Sequence, residues 1–199
     1  MYKTLFFILV SVLFLGSCSG NRAFTKGEYT DPDRVILLDD KYNESDMKIM
    51  ADALVSSLMK HPIVSQQKKI PVFQVERVVN STSEHIDMKS LTDKIRTALI
   101  NSGKVAFHDK DERSTLSEEY DYQTKSGNVN QSTAKERGHQ IASDYIIGGD
   151  FSSNVQELGG KKVIYYKLTL KATDIKTGLI SWTAEQEIKK LFKKRSYAL

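Results

Sequence analysis

Apolar residues recur along this chain with three different periods, and each period marks a different kind of segment. From Leu5 to Leu15 they run almost unbroken behind Lys3 and stop at Gly16-Ser17-Cys18. Between Asn43 and His61 they fall three and four apart. Met47, Met50, Ala51, Leu54, Val55, Leu58 and Met59 form one stripe on a helix. Asn43 or Ser45 suits its N-cap, Glu44 and Asp46 suit its positive end, and Pro62 helps to stop it. From Lys162 to Asp174 the period is two. Ile164, Tyr166, Leu168 and Leu170 alternate with Val163, Tyr165, Lys167, Thr169 and Lys171, as in a strand with one buried face.

The intervening segments follow from the same rules. Ile70 to Val79, rich in β-branched residues, predicts a strand, and Asn80 to His85 a polar loop. Asp87 caps a second helix with Met88, Leu91, Ile95, Ala98 and Leu99 inward, and Gly103 ends it. Lys104 to Asp109 predicts a short strand, Asp111 to Lys125 a polar helix, and Ser132-Thr133 the start of a short helix carrying Ala134, Gly138, Ile141 and Ala142. Asp144 to Gln156 opens a meander. Leu158-Gly159-Gly160-Lys161 and Lys176-Thr177-Gly178 are its turns, and Leu179 to Lys189 closes it with Ile180, Trp182 and Ala184 on one face. Gly148-Gly149 inside a strand pattern points to a bulge or a close backbone approach rather than a cofactor loop. Val35 to Leu38 reads as a short edge strand, and Leu191 to Leu199 as a frayed basic tail. Helices early and hairpins late predict an α+β domain: a single mixed, mostly antiparallel sheet packed with helices and ending in a C-terminal β-meander.

The first apolar run is too short to span a bilayer, which takes about 20 apolar residues. A basic start, a short apolar stretch, and small residues just before the chain's single cysteine form the layout of a bacterial lipoprotein signal. The expected organisation is a signal peptide over 1–17, a lipidated tether over 18–41 with the acyl group on Cys18, a globular domain over 42–190 and the tail over 191–199. With Cys18 acylated, no thiol remains for a disulfide, so core packing alone must hold the domain.

Charge and chemistry narrow the picture further. A formal charge of +4, interleaved with acidic residues, is too small to argue for nucleic acid. The chain has no Gly-x-Ser-x-Gly elbow and no phosphate loop. His61, His85, His108 and His139 show no metal-ligand spacing. Glu84 and His85 are sequence neighbours on a polar loop, a poor geometry for a base and its orienting acid. Glu118 and Glu119 would point about 100° apart on a helix. The expectation is a non-enzyme with no cofactor and no metal.

Several ordered stretches carry a resemblance. They are Thr82 to Asp87, Leu91 to Leu99, Asn101 to Val105, Thr133-Ala134-Lys135, Gly138, Ala142 to Ile146, Tyr165 to Leu170 and Asp174 to Gly178. Together they resemble the LpoB family, lipoproteins that activate bifunctional penicillin-binding proteins. The resemblance implies an outer-membrane lipoprotein, monomeric, facing the periplasm, that docks on a peptidoglycan synthase and stimulates it without a reaction centre of its own. Ser19 after Cys18 permits sorting to the outer membrane. The binding face is expected at the polar loop, with Arg77, Asn80, Thr82, Ser83, Glu84 and His85; a loop can present polar groups without supplying core. The competing reading of Thr82, Ser83 and Asp87 is that they only build the turn and cap. The alternative function is the periplasmic domain of a curli-secretion-type pore lipoprotein, which would need additional membrane-crossing strands of about 9–11 residues.

Overall fold

A computed structural model describes residues 27–37 and 39–194. The expected signal, Cys18, the start of the expected tether, Leu38 and the last five residues lie outside the described residues. The chain divides into two units between Arg34 and Val35. Of the first, 27–34 contain a turn in which the Arg34 N–H donates to the Asp31 carbonyl at 3.1 Å.

The second unit begins in extended chain and enters helix α1, Glu44–Lys60. Its start is a reciprocal capping box. The Asp46 N–H donates to Asn43 Oδ1 at 3.1 Å, and the Asn43 N–H to Asp46 Oδ2 at 3.0 Å. The predicted strand over 35–38 does not form: 35–37 are non-regular. Ile36 is tied instead to the helix start, donating to Ser45 Oγ and accepting from Asn43 Nδ2. Side chains at the helix terminus have taken the backbone groups that a sheet edge would have used. Pro62 stops α1 and also opens a one-turn helix, α2 (Pro62–Ser65).

Strand β1 (Val72–Asn80) leads to helix α3 (Met88–Asn101), capped by Asp87, whose carboxylate accepts from Lys89 and Ser90 N–H. Then come β2 (Ala106–His108), α4 (Arg113–Lys125), β3 (Tyr145–Leu158), β4 (Lys161–Asp174) and β5 (Ile180–Lys193). The sheet order is β2-β1-β3-β4-β5, with β1 parallel to both its neighbours and β3-β4-β5 an antiparallel meander. This is the mixed α+β sheet that the alternating and helical periods predict.

One face of the sheet carries the core. Met50, Ala51, Leu54 and Leu58 of α1 and Leu91, Ile95 and Leu99 of α3 meet Phe73, Val78, Ile147, Phe151, Ile164, Tyr166, Leu168, Leu170, Ala172 and Trp182. Most residues that the stripes and alternations mark as inward are buried, but Met47, Val55, Met59 and Met88 are only partly covered, and Ala98 and Ile180, expected inward, are exposed because they lie at the edge of the packed layer. In the Leu158–Lys161 turn Gly159 and Gly160 both have positive φ (58° and 74°), as a type I′ hairpin requires.

Two local features of the sheet go beyond the simple pattern. The β1–β3 register slips between Val75 and Val78, so Glu76 and Arg77 together oppose Gly148. This bulge buries Val78 (2% exposed) and turns Val79 out (51%). Gly149 shows the close approach expected of that pair: an added Cβ would overlap the Thr169 carbonyl oxygen and the Leu170 side chain.

Two predicted elements are corrected. No helix forms over 132–142, which is turn and loop. Its apolar residues have no surface to bury against, Ile141 remains 72% exposed and Gly138 sits at φ 96°. Nor does the chain fray at Leu191: β5 runs on to Lys193, pairing Leu191, Phe192 and Lys193 with Val163, Lys162 and Lys161. The long hairpin at the end of β3 and β4 gives these residues a strand to pair with.

Two stability outcomes follow. Gly149→Ala should cost about 2–3 kcal/mol, since backbone and a buried leucine must both move; chemical denaturation measures it. Gly138→Ala should cost less than that, because an added Cβ there meets nothing within 4 Å and only the strained φ opposes it.

Candidate functional site

The loop between β1 and α3 is built by its own side chains. Asn80 Oδ1 accepts from the Thr82 N–H at 3.0 Å and the Thr82 hydroxyl at 2.8 Å, while Asn80 Nδ2 donates to the Glu84 carbonyl at 2.9 Å. Thr82 Oγ1 in turn accepts from the Glu84 N–H at 3.1 Å. Ser81 fastens the loop to β3, its N–H donating to the Phe151 carbonyl at 2.7 Å and its hydroxyl to Asp150 at 2.5 Å.

Glu84 points inward. Its carboxylate accepts from the Tyr42 N–H at 3.0 Å and from the Tyr166 hydroxyl. Burial, and then this hydrogen bond, push the Tyr166 hydroxyl well above the usual phenol range, so it remains a donor. The loop is thereby tied to the segment that leads into α1. That segment is held from the sheet side as well. Asp40 pairs with Lys162 at 2.5 Å, and Lys190 donates to the Lys41 carbonyl at 2.8 Å. Lys190 also forms an ion pair with Asp46 in which both side chains are only 5% exposed, and it lies 5.7 Å from the centre of the Tyr166 ring. Tyr42 stacks edge-on against Phe151 and Tyr166, with its hydroxyl buried and without a hydrogen-bond partner among the described residues.

The six residues expected at a binding face therefore separate into two groups. Asn80, Thr82 and Glu84 are partly buried and spend their polar groups on the loop and the clasp; Arg77, Ser83 and His85 are exposed. The structural reading of Thr82 and Asp87 holds, and Ser83 is the residue that it does not absorb. His85 to Asp87 form a ridge between two open clefts. One, of about 670 Å³, is lined by Tyr42, Glu44, Met47, Ser83 and Ser90. The other, of about 730 Å³, is lined by Arg77, Lys89, Arg96 and Lys110 with Glu76 and Asp111.

The clefts bring in Met47, Lys89, Arg96 and Lys110, which sequence reasoning did not connect with the loop. Met47 belongs to the α1 stripe and is only partly covered; the basic residues lie on α3 and after β2. Adjacency across elements carries no local sequence signal. Lys110 pairs with Glu76 at 2.6 Å and holds the Glu76 carboxyl below the usual glutamate range.

No group of three or more His, Cys, Asp or Glu suited to a metal occurs among the described residues. His61 accepts from the Ile63 N–H and caps α2, and His108 contacts the Ile141 carbonyl, so these two histidines serve separate local structures. No described helix is long and apolar enough to cross a membrane.

Fold and surface together define a one-sided α+β domain that offers an exposed ridge between two clefts. The sequence model of the family described as peptidoglycan-synthase activator LpoB matches residues 46–188, and the chain belongs to that family. No curated protein matches its sequence. Among solved structures, the LpoB C-terminal domain from Salmonella enterica is 17% identical over 73% of this chain and 99% of that one, with a TM-score of 0.47. The same domain from Escherichia coli is 15% identical with the same coverages and a TM-score of 0.44. Lipoprotein GNA1162 from Neisseria meningitidis is 10% identical over 61% and 83%, with a TM-score of 0.38.

The inward and outward groups should behave differently. Glu84→Ala leaves two donors unmatched and should cost about 1–3 kcal/mol in a melt. Arg77→Glu and His85→Ala should each stay within about 0.5 kcal/mol of the parent. The Glu76–Lys110 pair has a defined pH sign. A carboxyl depressed in the fold contributes stability above its unfolded pKa of about 4.3, lost as pH falls through the folded value. Both partners are about a third exposed or more, so Glu76→Gln should remove no more than about 1 kcal/mol at pH 7 and nothing in strong acid, as denaturation at the two pH values reads.

Proposed function

We propose that this chain is a lipid-anchored, non-catalytic activator of a peptidoglycan synthase of the bifunctional penicillin-binding type, acting in the periplasm from the outer membrane. The observation that carries this reading is the match to the activator family over 46–188, which takes in every core residue from Met50 to Trp182. The anchor is Cys18, at the end of a lipoprotein signal, and the stretch after it is the tether.

A protein without a reaction centre can raise another's rate only by binding one of its conformations more tightly than the rest, by a coupling free energy of about 1–3 kcal/mol in typical cases. The exposed ridge supports such a contact. Arg77 stands outward from the bulge of β1, and Ser83 and His85 from a loop whose other side chains are locked, so little order need be lost on docking. The clefts on either side offer an apolar contact at Met47 and a basic one at Arg77, Lys89 and Arg96. A pore subunit would need a further pair of membrane-crossing strands; the long strands described here all belong to the sheet that buries the core.

The deciding experiment is glycan polymerisation by the organism's bifunctional synthases with and without this protein. Stimulation is expected. Arg77→Glu with His85→Glu should reduce it about tenfold or more while circular dichroism stays unchanged, since charge reversal at an interface costs upwards of about 2 kcal/mol. Unchanged stimulation by the double variant removes the ridge from the interface, and no stimulation of any synthase removes the reading itself. Cys18→Ala should release the protein from the membrane fraction.

A further inference from the structure

At the end of the sheet opposite the 39–43 clasp, β1, β2, β3 and β5 begin and β4 finishes. Counted along β4 at roughly 3.3 Å per residue, this end lies about 40 Å from Lys162, where Asp40 is held. Five aliphatic side chains stand exposed here: Ile70 (57%), Ile141 (72%), Ile175 (49%), Leu179 (67%) and Ile180 (59%). Ile70, Ile141 and Ile175 line one groove of about 580 Å³ together with Lys69 and Lys176. Leu179 joins them across the turn in which the Asp174 N–H donates to its carbonyl at 2.9 Å. Core closure does not require these residues, because Phe73, Ile147 and Ala172 already seal the layer beneath.

Charge at this end is mainly positive. Lys68, Lys69, Lys104 and Lys176 are exposed around the aliphatic groups. The two carboxylates, Asp144 and Asp174, are turned onto backbone, accepting from the Val72 N–H at 2.9 Å and the Thr177 N–H at 2.8 Å. A cluster of exposed aliphatic residues this dense marks a surface that something covers.

We propose that this end of the domain docks on an anionic lipid bilayer, with the isoleucines and Leu179 entering the headgroup boundary and the lysines meeting lipid phosphates. Composition distinguishes this occupant from a protein. Protein interfaces are enriched in Arg, Trp, Tyr and Met and depleted of Lys. The groove holds lysine and isoleucine, with no Arg, Trp or Met, and its one tyrosine, Tyr145, is engaged in stacking on Phe73 at 5.1 Å. Aliphatic insertion combined with basic side chains is the pairing by which peripheral proteins hold anionic membranes. Docking there leaves the ridge of 85–87, which follows the end of β1 opposite Phe151 in mid-sheet, open to a partner.

The fragment 27–199 retains every core residue and the clasp, and lacks both the apolar leader and Cys18, so it reports this contact alone. In co-sedimentation it should bind vesicles of phosphatidylcholine mixed with phosphatidylglycerol, and not phosphatidylcholine alone, with binding falling as salt rises. Ile70→Asp with Ile175→Asp should lower binding at least ~10-fold, as expected for losing two buried aliphatic groups. Ile141→Asp, in the loop before β3, is a second variant from a separate segment; circular dichroism checks each. Lys69→Glu with Lys176→Glu should abolish the preference for the anionic lipid. Failure to bind either vesicle overturns the proposal, as does binding unchanged in the isoleucine variants. Variants that leave vesicle binding absent but lose synthase stimulation would assign the surface to a protein instead. Synthase stimulation by a fragment that ignores vesicles would sink this inference and leave the activator reading intact.

Discussion

The ion pair between Asp46 and Lys190 sits where the rest of the domain is joined. Burying two charges is costly unless each also has its hydrogen-bonding needs met. Here they are met by the backbone of one short segment: the Asn43 N–H donates to Asp46, and the Lys41 carbonyl accepts from Lys190. The pair therefore makes a particular path of residues 41–46 a condition of folding. A helix start, the last strand and the incoming chain cannot be satisfied independently. Removing either charge would strand the other in the interior, which typically costs about 3–5 kcal/mol.

From that junction the geometry of the exposed ridge follows. Tyr42, placed by the pair, presents its N–H to Glu84 and its ring to Phe151 and Tyr166. Glu84, held from below, fixes the loop whose outer side chains are Ser83 and His85. The bulge at Glu76 and Arg77 turns the end of β1 so that Val78 is buried while Arg77 faces outward. Rigid support beneath and exposed polar groups above suit a surface that acts by recognition. The opposite end of the sheet has the reverse character, with aliphatic side chains at turn tips and lysines around them.

Much of this architecture could be read directly from the chain. The α1 stripe from Met47 to Met59, the Asp87 cap, the Gly159-Gly160 turn and the inward set Ile164, Tyr166, Leu168 and Leu170 are local patterns, and each is fixed by a local cause. The readings that failed lacked one. Val35 to Leu38 had β-branched residues but met a helix terminus that claimed Ile36. Residues 132–142 had spaced apolar positions but no surface to pack on. Leu191 to Lys193 looked like a solvated tail until a partner strand of the right length lay beside them. At the end of β1 and the polar loop after it, six polar residues divided evenly, because whether Glu84 points in or His85 points out depends on Tyr42 and Tyr166, which are 42 and 82 residues from Glu84 along the chain.

Sequence alone thus determined the class of fold, most of the helix and strand faces, and the family, since these rest on periodicity, capping and ordered local motifs. Tertiary structure decided the bulge at Glu76 and Arg77, the buried pair of Asp46 with Lys190, the two clefts beside residues 85–87, and the gathering of Ile70, Ile141 and Ile175. Each of these is a meeting of residues far apart in the chain. Their energies come from burial and from partners supplied by other elements, and no local pattern records either.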